Sequence, residues 1–196
     1  MDAELRHAAL TVALLFACDA DDPLHEREGG LPDVEFCADV IDWRAGSIAL
    51  EHELFDAIAA ARAESHDCGG LGRAAPSAPL VHDGALRCAA RAHALDMQTR
   101  EYFGHDDPDG RLPWHRIADA GYSSVLATEV IAQGDVDPRA LVDELWLRSD
   151  AHCGALLASE WIDVGIGHHT LAEPPPDSGS SAPTWWVVVL AVPDAT

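Results

Sequence analysis

Between residues 48 and 65, apolar side chains recur at Leu50, Leu54, Ile58 and Ala61, the spacing that gathers them on one face of a helix. Ser47 stands where an N-cap belongs, Glu51 falls in the first turn, and Cys68-Gly69-Gly70 ends the periodicity. A second stripe of Leu86, Ala89, Ala90, His93, Ala94 and Met97 follows Asp83 as its cap and stops by Gly104. A third, shorter helix opens on Pro113, turns Ile117 inward and ends at Gly121. Asp137-Pro138 starts a fourth, which presents Leu141, Val142, Leu145, Trp146 and, one turn on, Ser149. Residues 125–132, 162–170 and 185–192 instead form runs rich in β-branched and apolar side chains, of strand length. The last two flank a Pro-, Ser- and Gly-rich loop, residues 173–183, and are expected to pair as a long-looped hairpin.

A chain of 196 residues accommodates one domain, and 48% apolar with 23% charged residues excludes disorder or fibre as a description of the whole. Charge changes the picture more. With 34 acidic against 12 basic residues, the net charge is -22 and the pI near 4.5, so nucleic acid is excluded as a partner: there is no positive face to meet phosphate. The acid excess reads as a solvated surface that can also concentrate cations. Every basic residue is Arg, and Lys and Asn are absent. A catalytic or Schiff-base Lys, a P-loop and N-linked glycosylation are therefore excluded.

Residues 8–17 form an apolar run too short to span a bilayer and suited to a signal-peptide core. It ends in Leu15-Phe16-Ala17-Cys18, which resembles a bacterial lipobox, so Cys18 is the candidate lipidation site. A plain secretory signal and a buried N-terminal helix are the alternatives. The expected organisation is a lipoprotein-type signal over 1–17, an acidic extended leader over 18–46 anchored at Cys37, and a domain over 47–196. No other stretch could cross a membrane, so membrane association is expected only through a lipid anchor, and the protein is expected in the cell envelope or secreted.

Leu86, Ala89-Ala90, His93, Asp96-Met97, Tyr102-Phe103-Gly104-His105, Pro108-Asp109-Gly110, Arg116-Ile117 and Ala120-Gly121-Tyr122 stand in an order that resembles the bacterial branch of the CAP superfamily. That superfamily takes in cysteine-rich secretory proteins, antigen 5 and pathogenesis-related proteins. Glu129-Val130-Ile131-Ala132-Gln133-Gly134, Trp146 with Ser149 and His152, and Val164-Gly165-Ile166-Gly167 extend the resemblance, which covers residues 50–192. It implies an α+β fold, an α-β-α sandwich with a small, mainly antiparallel sheet between helices and a cleft where the motif residues meet. Three departures matter. The family's G-E-N-I-A stands as Thr128-Glu129-Val130-Ile131-Ala132, its H-R-x-N-I as His152-Cys153-Gly154-Ala155-Leu156, and its second cleft Glu as Ser149.

Taken singly, His105, Glu129 and His152 read as packing residues. The resemblance brings them into one cleft, with Ser149 at its border, where two imidazoles and a partly exposed carboxylate could hold Zn²⁺ or another divalent ion. His152, in the first turn after Ser149, would be kept neutral by the positive helix end. The leading expectation is an exported, monomeric CAP-domain protein that binds a metal and a small or lipidic ligand without a demonstrated reaction. The rival is a metal-dependent hydrolase acting on peptide or envelope substrates, and a third reading is an interaction module with a vestigial cleft. Neither H-E-x-x-H nor G-x-S-x-G occurs, and paired cysteines cannot serve as thiolate nucleophiles.

Other strings carry less. Residues 105–116 place Gly at the sixth position of a calcium loop but His at the first and Arg at the twelfth, so a Pro-Asp-Gly turn is expected. His168 and His169 should point to opposite sheet faces, His115 with Trp114 should lie on the surface, and Trp146, Trp185 and Trp186 should pack. With Cys18 acylated, Cys37, Cys68, Cys88 and Cys153 allow three pairings. Cys37 with Cys68 and Cys88 with Cys153 is the expected scheme, the first docking the leader and the second tying His152 to the second helix.

Overall fold

The structure, a computed structural model, describes residues 30–171 and 183–195. The signal segment, Cys18 and most of the expected leader lie outside them. So do residues 172–182, most of the loop between the last two strands.

The first four helices form where the apolar periodicity places them, and a fifth follows Ser149. They are α1 (Ala45–Arg62), α2 (Gly84–Thr99), α3 (Pro113–Asp119), α4 (Pro138–Ala140) and α5 (Asp150–Leu157). Asp83 caps α2 by accepting from the N–H groups of Ala85 and Leu86, and Asp137 does the same for Arg139 and Ala140. Pro113 opens α3, and Gly121, at φ +88°, provides the left-handed residue that ends it. Two boundaries differ from expectation. α1 starts two residues before Ser47, which is buried inside the helix with its hydroxyl on His168 Nδ1 at 3.0 Å rather than on a free N–H. The fourth helix keeps its α geometry for one turn only and continues as a π-helical turn, Leu141–Trp146.

The strands are β1 (His66–Asp67), β2 (Arg73–Ala74), β3 (Val81–His82), β4 (Ser124–Gln133), β5 (Asp163–Thr170) and β6 (Thr184–Pro193). β1 and β2 pair by themselves, and the main sheet runs β3-β5-β6-β4, antiparallel except for the short β3–β5 pair. The expected β5–β6 hairpin is present. β6 is buried on both faces, which is why it reads as an unbroken apolar run. Trp186, Val188 and Leu190 face one core with α1 and α5; Val187, Val189 and Ala191 face the other with α2 and α3. The result is the α-β-α sandwich the sequence resemblance implied.

The two cores also explain a correction to the disulfides. Cys37 pairs with Cys88 and Cys68 with Cys153, at Cα separations of 5.7 and 5.4 Å, not Cys37 with Cys68 and Cys88 with Cys153. Cys37 and Cys88 sit in the α2 core, Cys68 and Cys153 in the α1 core, so the expected pairs would each have had to cross the sheet. Part of the expected extended leader is helical instead. Residues Glu35–Val40 form a 3-10 helix that buries Cys37 and Val40 against the α2 side.

β5 departs from β6 in alternating side chains with glycine. Val164 and Ile166 fill the α1 core, whereas Gly165 and Gly167 lie directly under α2. A Cβ on Gly165 would stand 2.0 Å from the backbone of Leu86, and one on Gly167 would stand 2.4 Å from that of Ala90. Helix and strand therefore touch backbone to backbone. Replacement Gly167→Ala is expected to destabilise the fold by more than about 2 kcal/mol, since neither backbone can retreat without unseating the sheet; urea denaturation measures it, and a change below about 0.5 kcal/mol would show that the contact yields.

Candidate functional site

β4 is the terminal strand of the sheet, and its alternation decides which residues meet. Val130 faces the α1 and α5 core, while Ala127, Glu129 and Ile131 face α2 and α3. Glu129 thus enters a buried position, and its side chain is only 2% exposed. The partly exposed carboxylate expected from sequence is corrected to a buried one, and burial demands partners.

Those partners come from three elements. Arg116 on α3 donates from Nη2 to Glu129 Oε2 at 3.0 Å, and also to the main-chain carbonyl of His105 at 2.8 Å. His105, on the loop after α2, donates from Nδ1 to Oε1 at 2.9 Å. His93 on α2 brings Nε2 to 3.6 Å from the same oxygen while bonding the Gly104 carbonyl at 3.0 Å. A further relay steadies His93: Tyr102 donates its hydroxyl to Asp96 at 2.6 Å and stands 3.3 Å from His93 Nδ1. The loop carrying His105 is fastened separately. Asp107 accepts from the N–H groups of Asp109 and Arg111, Gly110 turns at φ +77°, and Arg100 reaches Asp96, Asp107 and Asp109. This is the Pro-Asp-Gly turn expected there.

Electrostatics follow from that wiring. Burial pushes the Glu129 carboxyl up, but the His105 hydrogen bond and the His93 and Arg116 charges outweigh it and hold the group below its ordinary 4.5. The hydrogen bond to Glu129 raises His105 above 6.5 against partial desolvation. Burial lowers His93 against the opposing pull of Glu129, and His152 is lowered by its own burial and then by the His105 charge. The direction for His152 is the expected one, although the named causes are burial and a neighbouring imidazole.

His105 is the exposed member, with 49% of its side chain accessible and Nε2 free of any protein partner among the described residues. It opens onto a groove of about 540 Å³. Residues 124–129 of β4 form one wall, and Leu112, Pro113 and Trp114 the other. Trp114, Val125 and Leu126 are 57, 64 and 46% exposed, large apolar side chains that share one cleft. His152 rides on α5, half-buried, near enough to His105 for their charges to interact. Ser149 precedes α5 as its N-cap residue without a side-chain cap bond, and it lies outside the groove wall.

The donor set does not fit the expected metal centre. Both Glu129 oxygens are taken, one by His105 and one by Arg116, so Glu129 cannot serve as a third ligand without unpairing a buried guanidinium. Among the described residues no group of three His, Cys, Asp or Glu side chains is arranged to hold an ion. His105 and Glu129, expected in one cleft, stand 2.9 Å apart, and they are joined by His93 and Arg116, which the expected site did not include. His93 was visible as the one polar member of an apolar stripe. Arg116 stood in the ordered motif string as Arg116-Ile117, but nothing local to it pointed to a carboxylate partner.

A four-stranded sheet between two helical layers, with a His–Glu pair at the edge strand, defines a CAP-type domain. The cysteine-rich secretory protein (CAP) family model matches residues 55–189, and the chain belongs to that family. The uncharacterized protein YkwD of Bacillus subtilis (strain 168) is 32% identical over 90 residues, 46% of this chain and 35% of that protein. The chain thus spans about a third of that relative's length. Among solved structures, an extracellular protein containing an SCP domain from Bacillus anthracis str. Ames matches with a TM-score of 0.57 at 19% identity, over 74% of this chain and 41% of that one. An outer surface protein from Borrelia burgdorferi matches with a TM-score of 0.53 at 22% identity, over 72% of this chain and 90% of that one. At these identities the likeness is one of fold.

The ion cluster gives a signed expectation. A depressed Glu129 contributes stability above its unfolded value that is lost as pH falls through the folded one; a raised His105 contributes below 6.5 and loses it as pH rises through its folded value. Glu129→Gln should therefore cost about 3 to 5 kcal/mol at neutral pH by leaving Arg116 buried and unpaired, and should flatten the acid limb of a stability profile. NMR titration should find His105 above 6.5 in the wild type and lower in the variant; an unshifted His105 would contradict the pairing.

Proposed function

We propose that this CAP domain is an exported ligand-binding protein whose groove takes an amphiphile, small or lipidic, with its apolar body on Trp114, Val125 and Leu126 and a hydrogen-bonding head on His105. The observation that carries the reading is the exposed imidazole held rigidly at the mouth of an apolar groove. Holding His105 through Nδ1 fixes its ring, so the free Nε2 meets a ligand without reorganisation. Hydrolysis is less well served, because a carboxylate held below its ordinary range by Arg116 and His105 is a poor base for water. A dodecyl phosphocholine below its micelle concentration is expected to raise the melting temperature by several degrees. Trp114→Ala and His105→Ala should each weaken binding by about tenfold, and full binding by both variants would sink the assignment.

Two buried disulfides suit an oxidising compartment, and the outer-surface and extracellular relatives support export. In this reading Cys18 carries a lipid anchor. Fractionation of the native host should find the protein in the membrane and the Cys18→Ser protein unanchored. Wild-type protein in the cytoplasm would refute export.

A further inference from the structure

The two long edges of the sheet are treated differently. β3 pairs with β5 only at Asp163 and Val164, which leaves the rest of that side of β5, the side away from β6, without a strand among the described residues. That edge is closed by side chains. Glu51 accepts from the His168 N–H at 3.1 Å, Trp43 donates to the His168 carbonyl at 3.0 Å, and Arg44 donates to the Thr170 carbonyl at 3.1 Å. Such blocking is how sheets avoid gaining a strand.

β4 forms the opposite edge. Gly134 donates to the Thr184 carbonyl, and counting back by two along the register shows which residues bond to β6: Ala132, Val130, Thr128 and Leu126. Ala127 and Glu129 therefore turn their N–H and C=O groups outward, and among the described residues no hydrogen bond reaches those of Ala127. The groove lies along this edge. Residues 124–129 all border it, although their side chains alternate between faces, an arrangement that fits a cleft running beside the strand. At about 3.3 Å per residue it is long enough for an extended segment of about five or six residues.

We propose that the free edge of β4 is a docking strand for an extended, basic peptide, which adds to the sheet between β4 and the wall formed by Leu112, Pro113 and Trp114. This deepens the reading of the groove as a ligand site and rests on it: the amphiphile is a polypeptide whose main chain pairs with Ala127 and whose apolar side chains meet Trp114 and Val125. Charge selects the occupant. The chain carries -22, Asp106 borders the groove, and Arg116 is already committed to Glu129. A second copy of this chain would be repelled, whereas a cationic segment is attracted.

The test uses the folded protein and a capped nonapeptide alternating valine with lysine and threonine, followed by calorimetry. Binding should weaken at least tenfold when alternate peptide amides are N-methylated, and again when glutamate replaces lysine. Ala127→Pro should abolish it with an unchanged circular dichroism spectrum, because the lost N–H faces away from β6. If that variant does not fold, the N-methylated peptide against wild-type protein carries the test unaided. Equal binding of the methylated peptide, or self-association through β4 in light scattering, would overturn the proposal. Binding of dodecyl phosphocholine with no peptide binding would overturn it too while leaving the groove a ligand site; loss of both would remove that reading as well.

Discussion

A buried carboxylate cannot be left alone, and Glu129 organises this half of the protein by that requirement. Its side chain stands on the edge strand, and the groups that satisfy it arrive from α2, α3 and the loop between them. Arg116 does two things with one guanidinium, since it neutralises Glu129 and holds the His105 carbonyl. The position of the exposed imidazole is thereby fixed through its main chain and its side chain together. A neutral residue at 129 would leave a cation in the core and a loop without its fastening.

A comparable buried pair sits at the other edge. Arg91 on α2 grips Glu51 on α1 at 2.5 Å across the end of the sheet, and Glu51 also caps β5. Burial raises Glu51 and pushes His168 down to about 4, so this end is a structural clasp in which the histidine stays neutral. The two ends of the sandwich use similar chemistry to different effect. At one, side chains of Glu51, Trp43 and Arg44 occupy the outer groups of the strand; at the other, an imidazole and a strip of main chain face solvent.

The sequence is most legible where structure is local. Caps at Asp83 and Asp137, the Pro113 start, the Gly121 stop and the β5–β6 hairpin depend on neighbours in the chain, and each stands where periodicity and turn chemistry place it. Ser47 misled because a short hydroxyl beside a helix start also suits a buried bond to a distant strand. The disulfides misled for a similar reason. Their pairing depends on which side of the sheet each cysteine faces, and Cys37 belongs to a segment whose acidic composition hides two buried residues, Cys37 and Val40. At the site, His105 and Glu129 were legible through their ordered motifs. Arg116 stood in the same motif string, but its pairing with Glu129 was not legible, because ion-pair geometry lives in tertiary contact and leaves no periodic trace.

The glycine contact between β5 and α2 bears on how freely this protein can change. Spacing between most helices and sheets is set by side chains, and it drifts as those side chains are exchanged over generations. Here the distance is set by bare main chain at Gly165 and Gly167. Successive exchanges elsewhere in the two cores can adjust the outer helix without moving α2, and α2 carries His93 and leads into the His105 loop. The ligand-facing edge is thus referenced to a mechanical stop, and its outer walls at Trp114, Val125 and Leu126 are left open to variation in what they hold.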